Sequence, residues 1–235
     1  MRYVISDIHG EYDLFVKLLE KISFSPDDEL YICGDIIEKG KYSVKLARLV
    51  FSMPNVYAIM GNHEHSFIQY YHFLMRERVC ESDADYDAIL AELKKYITDS
   101  GSDGELLGWD VVDKLDVLPY YIETDSFICV HAGMHLTPEG ELPLLDSVAS
   151  EELVHNRSFK DPNVIPRHGK CVFFGHTATS AVCGEHRIIG YKRHSGFGGI
   201  RDFAKVHLDT CTCVSGILGC FCVDSCDAYY VKREK

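Results

Sequence analysis

No stretch of this chain approaches the roughly 18 consecutive apolar residues that a membrane-spanning helix needs, so a membrane protein is not expected. A signal peptide is not expected either: Met1 runs at once into Tyr3-Val4-Ile5, and Asp7 is already a candidate for chemistry. Positive charge is scarce. Twenty-four Lys and Arg against 36 Asp and Glu give a formal net charge of −12, and without a basic face broad nucleic-acid binding is not expected. C-x-x-C pairs are absent, so the ten cysteines do not read as a zinc ribbon. Nor do they suit the disulfide framework of short secreted chains. Cys33, Cys80, Cys129 and Cys171 lie in or beside apolar runs, where a thiol acts as a small buried hydrophobe. A tight turn at Ser215-Gly216 would set Cys211 opposite Cys220, and buried thiols in a hairpin are the expectation there. A reducing cytoplasm fits this usage. Linkers rich in Pro or Ser, internal repeats and low-complexity segments are all lacking, which argues for one domain.

What is present is 235 residues with 46% hydrophobic content, enough to bury a sizeable core. The first part alternates strand and helix signals: a strand at Tyr3–Ser6, a helix over 11–22, a strand at Leu30–Cys33, a helix over 41–52, and a strand at Val56–Met60 after Pro54-Asn55. That order implies parallel pairing. Residues 63–115 read as mostly helical around a loop at Ser100–Gly104. Strands return at Tyr120–Glu123, Phe127–Val130, Val172–Phe174, Arg187–Tyr191 and Val206–Asp209, with a terminal hairpin over 217–232. The pattern predicts a single α/β domain of two packed sheets flanked by helices.

Five short blocks carry the candidate chemistry: Asp7-Ile8-His9-Gly10, Gly34-Asp35-Ile36-Ile37-Glu38-Lys39-Gly40, Gly61-Asn62-His63-Glu64, His131-Ala132-Gly133 and Gly175-His176-Thr177. Each follows an apolar strand-like run. Side chains at the carboxyl ends of neighbouring strands converge on one crevice in open α/β sheets. Alone, each block has an ordinary explanation: Asp-x-His is a turn and a surface histidine, Gly-Asp is a common turn, and a lone His131 or His176 is most often structural. Five such blocks in one order argue for a shared site. Carboxylate oxygen, amide oxygen and imidazole nitrogen together suit divalent Mn, Fe or Zn better than an all-oxygen cage. Seven candidates exceed the roughly four ligands that one ion takes, so two ions and a proton-transfer residue are expected.

In this order the blocks resemble the calcineurin-like metallophosphoesterases, over residues 3 to about 177, and within them the phosphoprotein phosphatase branch. The bacterial and phage serine/threonine phosphatases are the nearest likeness. The resemblance implies a four-layer α/β/β/α sandwich with two mixed sheets, a helical insert over about 63–115 and a C-terminal β-hairpin over about 206–232. It also implies Asp7 and His9 on a first metal, Asp35 bridging, and Asn62, His131 and His176 on a second, with manganese named first. His63 would be the general acid, oriented by Glu38, while Lys39 and Arg157 would hold the substrate phosphate. Glu38-Lys39 departs from the usual Asp-Arg, and lysine lacks the planar fork that grips two phosphate oxygens. The function so implied is hydrolysis of phosphoserine or phosphothreonine in proteins, with phosphotyrosine as a further possibility, by in-line attack of a metal-bridging hydroxide. Two rivals stand beside it. A dinucleoside polyphosphate hydrolase shares nearly all the ligands, and Gly-Asn-His-Glu leans away from it. The other is a catalytically silent protein-binding scaffold. Of the remaining histidines, His65 and His155 could line the site; His72, His168 and His194 are read as structural or surface.

Overall fold

The computed structural model describes residues 1–97, 105–167, 169–193 and 198–234. The expected loop at 100–104, His168 and His194 lie outside the described residues. In chain order the elements are β1 (Arg2–Ile5), α1 (Tyr12–Lys21), β2 (Glu29–Ile32), α2 (Ser43–Ser52), β3 (Val56–Ala58), α3 (Asn62–Glu77), α4 (Asp83–Ile97), α5 (Trp109–Asp116), β4 (Tyr121–Glu123) and β5 (Phe127–Val130). There follow α6 (Ser150–His155), β6 (Cys171–Phe174), α7 (Ser180–Cys183), β7 (Ile189–Lys192), β8 (Phe203–His207), α8 (Thr212–Ser215), β9 (Ile217–Cys222) and β10 (Ala228–Lys232).

Two five-stranded mixed sheets result, in the orders β10-β9-β1-β2-β3 and β4-β5-β6-β8-β7. β1, β2 and β3 are parallel, as are β5, β6 and β8, while β9, β10, β4 and β7 join antiparallel. Period-two alternation sorts the side chains into three cores. Tyr3 and Ile5 of β1 pack with Leu14, Phe15 and Leu18 of α1 and with apolar faces of α2 to α5. Val4 points the other way and meets Phe127, Cys129, Phe173 and Phe221 between the sheets. On the far side, Ile128, Val130, Val172 and Phe174 pack under Leu153 and Phe159. Three cores separate four layers. The fourth is thin, being α6 and ordered chain around it rather than long helices.

Some boundaries differ from the sequence pattern. The strand expected at Val206–Asp209 ends at His207, which leaves Asp209 beyond the strand end. It belongs to the second sheet, so the closing hairpin is β9–β10 alone, not the whole of 206–232. Cys211 does not face Cys220: α8 intervenes, and Cys220 pairs with Tyr229 of β10. All ten cysteines are free thiols.

His207, fully buried at the end of β8, stacks on Phe174 with ring centroids 4.4 Å apart and donates Nε2–H to the Thr177 carbonyl at 2.5 Å. Burial pushes its pKa down to about 4. The folded protein therefore refuses a proton that the unfolded chain accepts below about pH 6.5, and stability falls as pH drops from there toward 4. His207→Gln keeps an N–H for Thr177 and removes the titration. Chemical denaturation at pH 7 and pH 4 should show the parent losing on the order of 3 kcal/mol more than the variant. Parallel losses in the two proteins would refute this assignment.

Candidate metal centre

Six loops gather at the carboxyl ends of β1, β2, β3, β5, β6 and β8. The first two run side by side: Asp7, His9 and Gly10 donate their backbone N–H groups to the carbonyls of Gly34, Asp35 and Ile36 at 3.1, 2.8 and 2.7 Å. Seven non-glycine residues of these loops (Asp7, His9, Asp35, Glu38, Lys39, His176 and Cys211) have φ between 49° and 68°. Left-handed backbone costs energy for such residues and gathers at functional sites. Gly40, Gly175 and Gly61 permit close approaches: a Cβ would stand 1.8 Å from the His9 carbonyl oxygen, 2.0 Å from Asp7 Oδ2 and 2.2 Å from Asp35 Oδ1, respectively.

What holds the strained loops is Glu64, fully buried in the first turn of α3. Its Oε2 accepts from the N–H groups of Asp35 and Gly61 at 2.8 and 3.0 Å, and its Oε1 from Ile36 and Ile37 at 2.7 and 3.0 Å. Four donors on one carboxylate offset its burial. Burial, with the nearby Asp35 charge, still raises its pKa.

Around that clamp the expected ligands converge. Asp35 is buried at the centre, with Oδ2 3.4 Å from His9 Nε2 and Oδ1 3.4 Å from His131 Nε2. Burial alone would raise its pKa, but His131, His9 and His63 together hold it well below the ordinary value. His131 Nδ1 lies 2.8 Å from the Cys33 carbonyl and His9 Nδ1 3.2 Å from that of Ile37. Donation there directs both Nε2 lone pairs inward, the usual outer-shell arrangement for a ligating imidazole. Asn62 Oδ1 sits 2.9 Å from both His131 Nε2 and His176 Nδ1. Asp7 accepts from the His176 backbone N–H at 3.1 Å. Its pKa is raised by burial, then by the charges of Asp209 and Asp35. Burial pushes His9 and His176 down to about 4 and about 3, so both are neutral donors. Among the described residues, two groups have donor atoms all within 4.8 Å of one another: Asp7, Asp35 and His131, and His9, Asp35 and His63. Asp35 belongs to both. Converging acceptors among buried carboxylates suit divalent cations, and this donor set fits them.

His63 Nδ1 lies 2.5 Å from Glu38 Oε2, and its Nε2 is 3.8 Å from Asp35 Oδ2. Burial lowers its pKa, but the Glu38 hydrogen bond and the Asp35 charge outweigh that and leave it raised. Glu38 therefore reaches His63 despite its extra methylene. Lys39 Nζ stands 3.0 Å from His9 Nε2, against the proposed ligand atom. Arg157 is exposed, and its charge is felt at His176. His155 lies between His65 and His176, with ring centroids 6.2 and 6.1 Å away.

Two residues escaped sequence reasoning. Glu64 was read as part of a motif without a task. Asp209, buried beside Asp7 and Asp35 with its pKa raised to about 6 chiefly by burial, was placed inside a strand. Its signal was the same apolar run followed by a carboxylate that marks the first two blocks.

Residues 2–200 match the family described as calcineurin-like phosphoesterase. The chain belongs to that family. This calcineurin-like phosphoesterase is 28% identical over 163 residues to the symmetrical bis(5'-nucleosyl)-tetraphosphatase of Xylella fastidiosa, covering 68% of this chain and 51% of that protein. It is 33% identical over 153 residues to the protein of the same name from Aggregatibacter actinomycetemcomitans, covering 63% and 49%. The chain thus spans about half the length of the curated relatives it matches. Among solved structures, a candidate diadenosine tetraphosphatase superposes with a TM-score of 0.68 at 18% identity, covering 98% of this chain and 92% of that one. A metallophosphoesterase from Sphaerobacter thermophilus gives 0.56 at 14%, covering 99% and 88%. These structural likenesses carry the fold alone.

The relatives overturn the protein-phosphatase expectation and with it a phosphorylated protein as substrate, because the curated matches are named for dinucleoside tetraphosphates. The physical reason lies in Glu64. Its place in Gly-Asn-His-Glu weighed toward protein phosphatases, yet its carboxylate is buried against four backbone N–H groups and cannot read a substrate.

Glu64→Gln tests the clamp. An amide turns two N–H donors toward backbone donors, and each buried group left unpaired costs about 1–3 kcal/mol. Denaturant unfolding should show a loss of about 3 kcal/mol or more. A stability within about 0.5 kcal/mol of the parent would show that the clamp is not needed.

Proposed function

We propose that this chain hydrolyses dinucleoside polyphosphates, cleaving diadenosine tetraphosphate and water into two molecules of ADP. The observation that carries the reading is the sharing of Asp35 by two donor clusters, in a chain whose curated relatives are named symmetrical bis(5'-nucleosyl)-tetraphosphatases. On this reading Asp7 and His9 would hold a first divalent ion, Asn62, His131 and His176 would hold a second, and Asp35 would serve both, with manganese as the first candidate. When bound, such ions supply Lewis-acid charge and a water that ionises near neutral pH.

The chain's own groups do the rest. Lys39 and Arg157 neutralise phosphate oxygens. His63 gives a proton from Nε2 to the departing oxygen while Glu38 holds Nδ1–H and favours the protonated ring. A nucleoside diphosphate departs more readily than an alkoxide, so this substrate leans less on that proton. Retention of all six donors in one crevice speaks against a silent scaffold.

The direct test is chelator-stripped protein with added Mn²⁺, given diadenosine tetraphosphate and p-nitrophenyl phosphate, with nucleotide products separated by chromatography. ADP as the sole nucleotide product is expected. ATP with AMP, or no cleavage while two metals are bound, would overturn the reading.

His63→Asn separates the proton donor from the metal site. It should slow phenyl phosphate by about 10²–10⁴-fold and p-nitrophenyl phosphate, which has the better leaving group, distinctly less. Equal losses on both aryl phosphates would rule out proton donation by His63.

A further inference from the structure

A cleft of about 650 Å³ opens beside the His9, Asp35 and His63 cluster, within the roughly 300–1,000 Å³ of small-molecule sites. Lys39 links the two: its ammonium touches His9 Nε2 at 3.0 Å, and its side chain lines the cleft with Tyr12, Lys41, Tyr42, Cys213 and Arg233. The cleft reverses the sign of the protein. Five cationic side chains line it against three anionic ones, in a chain of net charge −12. Two of those acids are already paired, Glu234 with Lys17 at 2.8 Å and Glu11 with Arg233 at 2.6 Å. An excess of positive charge therefore faces the opening.

Its aromatic wall is built on rigid elements. Tyr12 is the first residue of α1 and Tyr42 immediately precedes α2. Both rings are half-buried and meet edge to face with centroids 6.3 Å apart. Cations bracket them: Lys45 Nζ lies 3.9 Å from the Tyr12 centroid and Lys41 Nζ 4.9 Å from that of Tyr42. An aromatic face framed by lysines, reached from a phosphate-handling centre, suits a base at one end and phosphates at the other.

We propose that this cleft seats one nucleoside diphosphate half of the substrate, with Lys39 and Lys41 on its phosphates and Tyr12 and Tyr42 against its base. The identity of that half rests on the dinucleoside reading. The seat rests on the cleft itself.

The test uses the full chain loaded with Mn²⁺. In Tyr42→Ala and Lys41→Ala, the ratio of kcat/KM for diadenosine tetraphosphate to that for p-nitrophenyl phosphate should fall roughly tenfold, mainly through KM. Independently, ADP should slow alkylation of Cys213 relative to Cys80, both half-exposed thiols, followed by peptide mass spectrometry. If the parent cleaves the dinucleotide while both ratios stay at the parental value and ADP leaves Cys213 unprotected, the seat is wrong and the dinucleoside reading stands. If the parent does not cleave it, that reading falls and Cys213 decides: protection by ADP upholds a nucleotide seat, and its absence overturns one.

Discussion

The carboxylate of Glu64 accepts four backbone N–H groups from two loops at once, and the geometry of the centre depends on that contact. The loop after β2 carries Asp35, Glu38 and Lys39 in left-handed backbone. Such conformations persist only where surrounding contacts over-determine them. Glu64 supplies those contacts from the first turn of α3, the same turn that presents Asn62 and His63. One side chain therefore fixes Asp35 relative to Asn62 and His63. The His63 backbone N–H reinforces the link by donating to Asp35 Oδ1 at 3.1 Å.

Electrostatics explain why the centre needs cations. Asp7, Asp35 and Asp209 are buried near one another, and the neutral imidazoles of His9 and His176 bring no positive charge to offset theirs. Buried like charges are costly unless opposite charge enters. Lys39 brings one positive charge to the rim, at His9. This also gives the lysine at position 39 a structural sense: a flexible point charge can lie against His9 Nε2 and still turn toward the neighbouring cleft, where a planar fork is less free.

Family and substrate are written in different parts of the molecule. On the proposed reading the candidate metal ligands handle phosphorus chemistry, common to phosphomonoesters and phosphoanhydrides alike. What distinguishes one phosphoester from another must contact the rest of the substrate, and those contacts lie outside the blocks. Reading the branch from Gly-Asn-His-Glu failed for that reason.

The sequence by itself determined the layered α/β fold and the candidate ligands. Alternating apolar runs specify which faces are buried, and glycine-flanked polar residues after such runs mark strand ends. Asp7, His9, Asp35, Asn62, His63, His131 and His176 were legible because each sits in a short local pattern. Tertiary structure alone decided the rest. That Glu64 clamps a loop 28 residues away, that Asp209 lies beside Asp7, and that Lys39 joins the metal centre to a tyrosine-walled cleft are facts of proximity between distant segments. Local periodicity cannot encode them, because they arise only when sheets pack and loops from both meet.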